Sequence, residues 1–486
     1  MEYKLAGLEP SRVFYYFEEI SRIPRGSGNT KGVSDYCKAQ AERMGLYCRQ
    51  DEWNNIIIKK PGTPGYEAAP TVMLQGHLDM VAEKVSSSSH DFLKDPLDLF
   101  VEDGWIGAKD TTLGGDNGIA IALCLALLED DTLAHPPLEC VFTTEEEVGM
   151  DGAKGIDLSD CMSRYLINLD SEEEGYLLSG CAGGMRCDLK LPVRRVQVSS
   201  HFYAVKLSGL VGGHSGSDIN LERGNANVLL GRFLYFLSKK VPFAIKEMAG
   251  GALDNVITRE SKAVIALEDA SRPAFEQAAQ EMRDIWKNEY RSTDPDITLT
   301  VTDEGEKTET VVSPVDQEKM LFLLMEAPYG VQHMSMEMEG LVETSLNLGI
   351  LRLEQEAFHI RYAVRSSVGS RKELIADRLE YLIQFIGGEY VRGADYPEWQ
   401  YQKESKLRAL VCDVYRKVSG NEMVVQAIHA GLECGLLMEK MPGLDAVSMG
   451  PDMKDVHTPS ERLSIASTAR TYAFLKEVLA AVKNGF

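Results

Sequence analysis

Residues 138–149 read LECVFTTEEEVG. The apolar run from Leu138 to Phe142 has the length of a buried strand, and it passes through two threonines straight into Glu145, Glu146 and Glu147. Three adjacent carboxylates repel one another and add nothing to a core. A solvated face is the ordinary explanation of such a run. The neighbouring segments point to a different one.

Other apolar runs in the chain end the same way. TVMLQ (71–75) leads into Gly76-His77-Leu78-Asp79, YLINL (165–169) into Asp170, and LDAVSMG (444–450), through a loop, into His457. In TTLGGDNGIA (111–120), Asp116 sits where a glycine-rich loop enters the apolar helix IAIALCLALL (119–128). Strands alternating with helices predict an α/β layer with a largely parallel sheet, and such sheets bind ligands at the carboxyl ends of their strands. Taken singly, Asp116 reads as a helix cap, Asp170 as a turn former and His457 as a loop histidine. Taken together, two histidines and several carboxylates at neighbouring strand ends make a nitrogen-and-oxygen donor set suited to zinc, manganese or cobalt. So many carboxylates with two imidazoles suggest two ions sharing a bridge. Two metals about 3.5–4 Å apart can activate a water and polarise a carbonyl.

With 486 residues the chain is too long for one ordinary core, so two or more domains are expected. A net charge of −23 argues against nucleic acid and anionic membranes as partners. Nine scattered cysteines without a CxxC pair point to a reducing cytosol and away from a cysteine zinc cluster. The N-terminus lacks a basic start followed by an apolar core, and IAIALCLALL is too short to span a bilayer, so a cytoplasmic location is expected.

The pattern changes after about residue 186. FYAVKLSGL (202–210) alternates like a half-exposed strand. Helical periodicity follows at 218–239 and 272–289, then DITLTVTDE (296–304), a helix at 315–326, LVETSLNLGILRLE (341–354) and AFHIRYAVRSS (357–367). Further helical patterns fall at 371–387, 401–418 and 464–482. The simplest architecture is a first domain built from 1–186 and 394–486, with an open-faced α+β domain, 187–393, inserted in it.

The ordered set GHLDMV, TTLGGDNGIA, TTEEEVGMDGA, INLDSEEEG, GGHSG and VHTPSE resembles the co-catalytic zinc dipeptidases related to glutamate carboxypeptidase, and the likeness covers essentially the whole chain. SRIPRGSGNTKG (21–32) and HAGLECG (429–435) share it. The resemblance implies that His77 and Asp170 hold one metal, Glu147 and His457 the other, and that Asp116 bridges them and precedes a cis peptide. It implies that Asp79 orients His77 and that Glu146 is the general base. Glu145 stands where the family often has Asp. For Glu146 and Glu147 to serve separate roles the chain must turn after the strand, a turn that Gly149 and Gly152 would allow. The inserted domain would be a lid and dimer module. Its His214 would reach a partner's site and stabilise the oxyanion, and Arg365 and Asn255 would bind the substrate's C-terminal end. The implied activity is hydrolysis of dipeptides with a free N-terminus, Xaa-His and β-alanyl-histidine among them. The implied cofactors are two divalent ions, zinc first, with manganese or cobalt as alternatives. A tripeptidase, an N-acyl amino acid deacylase and a non-catalytic binding protein on the same fold are the rival readings.

Overall fold

The computed structural model describes residues 3–484. The chain forms two compact units. The first runs to Gly180 and resumes at Tyr401–Ala427 and from Leu432 onward; the second comprises Cys181–Gln400 and Ile428–Gly431.

The first unit is built on an eight-stranded sheet. Its centre consists of Leu138–Thr143, Val72–His77, Tyr165–Asn168 and Asp445–Ser448, in that spatial order and all parallel. Every residue of Leu138–Thr143 and Val72–His77 is buried. Continuous burial explains why these strands read as unbroken apolar runs rather than as alternation. Antiparallel pairs flank this centre: Ile56–Lys60 pairs with Leu138–Thr143 and with Tyr47–Gln50, while Asp445–Ser448 meets Tyr176–Cys181 antiparallel at Ser448–Leu178. The sheet is therefore mixed, with its four middle strands parallel. Ile119–Leu128 is helical and wholly buried, as expected of a run without a polar face. It belongs to the helix Gly115–Glu129, kinked at Asp116 and Asn117.

A second, four-stranded sheet in this unit had no clear sequence signal. Trp105–Ala108 pairs with Leu99–Glu102 on one side and Arg462–Ser464 on the other, and Arg462–Ser464 pairs with Met453–Lys454. The loop to His457 is therefore the tip of a hairpin, anchored beside the strand that leads to Asp116.

The second unit has a nine-stranded sheet, antiparallel throughout its assigned pairings. Here burial alternates along Gly183–Pro192 and Ala357–Ser366, the mark of a sheet with one main buried face. The helices Ala226–Ser238, Arg272–Glu289, Pro314–Glu326 and Gly369–Phe385 contribute to its principal core. Among the boundaries that differ from the sequence pattern, two have a clear cause. The helix expected from 218 begins at Ala226, where the Asn225 side chain accepts the N–H groups of Asn227 and Val228. The strand expected at 202–210 spans Arg195–Ser208, because its polar first half is held by pairing with Thr298–Val312 rather than by burial.

Candidate metal centre

The parallel strands end level. Gln75 pairs with Asn168, His77 with Thr143, and Ser448 with Asn168. The side chains that follow these positions therefore converge. His77 Nε2 lies 3.0 Å from Asp116 Oδ1 and 3.4 Å from Asp170 Oδ1. His457 Nε2 lies 3.1 Å from Asp116 Oδ2 and 3.1 Å from Glu147 Oε2. Each oxygen of Asp116 thus faces a different histidine, and each histidine has a further carboxylate of its own. The donor atoms of His77, Asp116 and Asp170 lie within 4.8 Å of one another, as do those of Asp116, Glu147 and His457. The peptide bond after Asp116 is cis.

The three glutamates part company because the chain turns at Glu145 itself, a non-glycine residue at φ 58°, and then enters a single helical turn, Glu146–Gly149. Of the two glycines expected to allow a turn, Gly149 ends this helical turn at φ 153°, while Gly152 has a different part. Gly152 serves close packing instead: a Cβ there would run into the backbone of Thr144. Glu145 points away from the other two and accepts the N–H of Gly28 at 2.9 Å. Asp79 accepts the N–H of Glu146 at 3.1 Å on one oxygen and that of Glu147 at 3.3 Å on the other. It also lies 3.5 Å from His77 Nδ1. Asp79 therefore orients the glutamates as much as the histidine. A Glu146 oxygen comes within 4.8 Å of donor atoms of His77 and Glu147.

The electrostatics are those of buried, crowded acid. Burial pushes Asp170 up to about 8, against the pull of His77. It also raises Glu146 well above the carboxylate range, with Asp170, Glu433 and Glu147 adding to the rise. Asp116 is held below that range, because its two histidines outweigh burial. The bond to Asp116, followed by that to Glu147, lifts His457 to about 11. Glu147 Oε1 is buried with no hydrogen-bond partner. An orphaned carboxylate oxygen among two imidazoles and several carboxylates fits divalent cations bound through nitrogen and oxygen, and His77, Asp116, Glu147, Asp170 and His457 could hold two of them.

In the second unit, His214 is half-buried beside Gly213, and its Nδ1 faces the N–H groups of Gly216 and Ser217, each at 3.3 Å. Arg365 lies near enough to depress the basicity of both His214 and His429, in each case after burial. Its Nη1 donates to the Tyr396 hydroxyl at 3.1 Å. Asn255 is exposed, and its carbonyl accepts the Ser215 N–H.

Sequence reasoning passed over several residues of this neighbourhood. Asn117 accepts the His77 N–H and donates to the Leu169 carbonyl, linking two ligand-bearing strands. Glu433, in HAGLECG, is fully buried, accepts from Gln75 at 2.5 Å and Thr143 at 2.6 Å, and is pushed by burial up to about 7. Arg25 and Glu461 are also buried. The available signal was charged residues inside otherwise apolar or glycine-rich motifs, which is weak without knowing what packs around them.

The chain is 35% identical over 478 residues to the cytosol non-specific dipeptidase of Escherichia coli, covering 98% of each. It is similar to the crystal structure of aminoacylhistidine dipeptidase from Vibrio alginolyticus, with a TM-score of 0.91, 34% identity and 98% of each chain covered. Aminopeptidase PepT of Bacillus cereus shares the fold at 13% identity, with a TM-score of 0.56 over 98% of this chain and 99% of the other. Residues 73–481 match the model of peptidase family M20/M25/M40, and the chain belongs to that family.

Proposed function

We propose that the chain is a two-metal dipeptidase acting on dipeptides with a free N-terminus, Xaa-His among them. The observation that carries this reading is the placement of Asp116, with one oxygen toward His77 and Asp170 and the other toward His457. When bound, two divalent ions would supply Lewis acidity toward the peptide carbonyl and the attacking water. The chain's own residues do the rest. Glu146, whose buried carboxyl holds a proton more readily than an ordinary one, takes the proton from the attacking water and returns it to the leaving amine. Asp79 keeps Glu146 in place through its backbone N–H. Arg365 and Asn255 bind the substrate's C-terminal carboxylate, and His214 donates to the developing oxyanion.

The names of the two relatives that match over their full length favour dipeptides and Xaa-His substrates. A cytoplasmic location agrees with nine free cysteines, and no helix among the described residues is long and apolar enough to cross a membrane. The protein assembles as a homodimer through the second unit, where His214 serves the partner's site; sedimentation at micromolar concentration reads the assembly directly. To test the activity, the chelated protein is given zinc, manganese or cobalt and assayed on free dipeptides, tripeptides and N-acylated amino acids. Metal-restored turnover of free dipeptides, Xaa-His included, is expected. Full activity in chelator, or turnover confined to blocked or longer substrates, overturns the reading.

A further inference from the structure

Two buried charged side chains flank the loop that carries Asp116, and neither has a part in the chemistry above. Arg25, from SRIPRGSGNTKG, is 2% exposed. Its Nη1 donates to the carbonyls of Leu78 and Asp79, each at 3.0 Å, and its Nη2 donates to the carbonyl of Gly114. Burial works against the charge of this guanidinium, and the carboxylates of Glu461, Asp79, Asp116 and Glu147 work for it. Its hydrogen bonds nevertheless go to main-chain carbonyls.

Glu461 lies four residues beyond His457 and is 4% exposed. One of its oxygens accepts the N–H of Leu113 at 2.8 Å and of Gly114 at 3.0 Å; the other accepts those of Gly115 at 2.8 Å and Asp116 at 3.3 Å. All four N–H groups point at the carboxylate oxygens, so Glu461 grips the main chain of the loop rather than any of its side chains. The two grips meet at Gly114, which has φ 63° and where a Cβ would collide with Arg25 and Met80. Only glycine suits a left-handed backbone held from both sides at such close range.

We infer that Arg25 and Glu461 are positioning residues of the metal centre: Arg25 ties the segment after His77 to the Asp116 loop through carbonyls, Glu461 ties the same loop to the His457 hairpin through amides, and the three ligand-bearing segments are held at a set separation before any ion binds. This rests on the two-metal reading above. The physical need is plain. Asp116 comes from one loop and His457 from another, and donor atoms that meet within 4.8 Å need both backbones held by something besides the ions. Both grips act on main-chain atoms, so they act whatever the ligand side chains are doing.

The test uses the full-length protein, Arg25→Lys and Glu461→Gln. Lysine keeps the charge and loses the fork that spans three carbonyls. Glutamine keeps one acceptor oxygen and turns an NH₂ toward two amides. Zinc titration of the chelated proteins by calorimetry should show affinity for at least one ion falling about 10–100-fold, the usual effect of losing a group that orients ligands. In the manganese-loaded proteins, the electron paramagnetic resonance signature of two coupled ions should give way to that of separate ones. Variants that bind two ions with wild-type affinity and give the wild-type coupled spectrum overturn the inference. A measurement on the metal-free wild-type protein needs no variant to fold: hydrogen exchange at the amides of 113–116 should be slow, and fast exchange overturns the inference too. If the wild-type protein takes up no divalent ions, the two-metal reading itself falls and takes this inference with it.

Discussion

In the first unit His457 stands against Asp116 and Glu147, and those bonds lift its pKa to about 11. In the second unit His429 is buried near Arg365 and His214, and burial first, then Arg365 and His214, lower it to about 3. The same imidazole is driven in opposite directions by what the fold places around it. The contrast extends to the neighbours. The first unit gathers carboxylates, and a Glu147 oxygen is left without a partner. The second leaves Arg365 Nε, Ser215 Oγ and His429 Nδ1 buried without hydrogen-bond partners. One surrounding gathers acid around its histidine, the other sets a guanidinium near it.

The largest expected effect breaks the first half of this contrast. Glu146→Gln should lower kcat by about 10²–10⁴, the usual contribution of a general base, while elemental analysis still finds two ions per chain. Glu147→Gln should lose metal as well, because it removes an oxygen facing His457. If metal content falls with Glu146→Gln and survives Glu147→Gln, the two roles are exchanged.

A middle-sized effect probes the other half. Arg365→Ala should raise KM for a free dipeptide by about 10–100-fold, as expected for loss of a charge-assisted hydrogen bond worth about 1.5–3 kcal/mol, with metal content unchanged. A dipeptide with an amidated C-terminus should already bind poorly to the wild-type protein and lose little more in the variant. Equal KM for the free and amidated substrates would show that the second unit does not read the carboxylate.

The smallest effect is on stability and sharpens the contrast between the histidines. The folded-state pKa of His429, about 3, lies below the ordinary histidine value of about 6.5. Between these values the unfolded chain binds one more proton at this site than the folded one. Stability from this group is therefore complete above about pH 6.5 and is lost as pH falls toward the folded value, at a slope of up to about 1.4 kcal/mol per pH unit. Urea melts of chelated wild type and His429→Gln, compared from pH 7 to 4, should show a shallower decline in the variant. Parallel curves would mean that His429 titrates normally in the folded protein.

Much of the centre was legible because parallel strands buried on both faces are continuous apolar runs. Their ends are thus visible in the chain, and each end carried a ligand type: Glu147 after Leu138–Thr143, His77 closing Val72–His77, Asp170 after Tyr165–Asn168. The ordered motifs added the family. The polar strands were harder. Arg195–Ser208 and Thr298–Val312 are held by pairing with one another along much of their length, and partly exposed strands leave a weak apolar pattern.

By itself, then, the sequence determined the residue types, their order, and their places at strand ends, because local burial writes itself into local composition. The tertiary structure decided which oxygen of Asp116 faces which histidine, that the turn begins at Glu145, and that a small sheet brings the His457 hairpin beside the Asp116 loop. It also decided that Arg25 and Glu461, more than 430 positions apart in the chain, grip one loop from its carbonyls and its amides. Those outcomes depend on contacts between distant segments, and such contacts leave no period, spacing or composition for a single sequence to display.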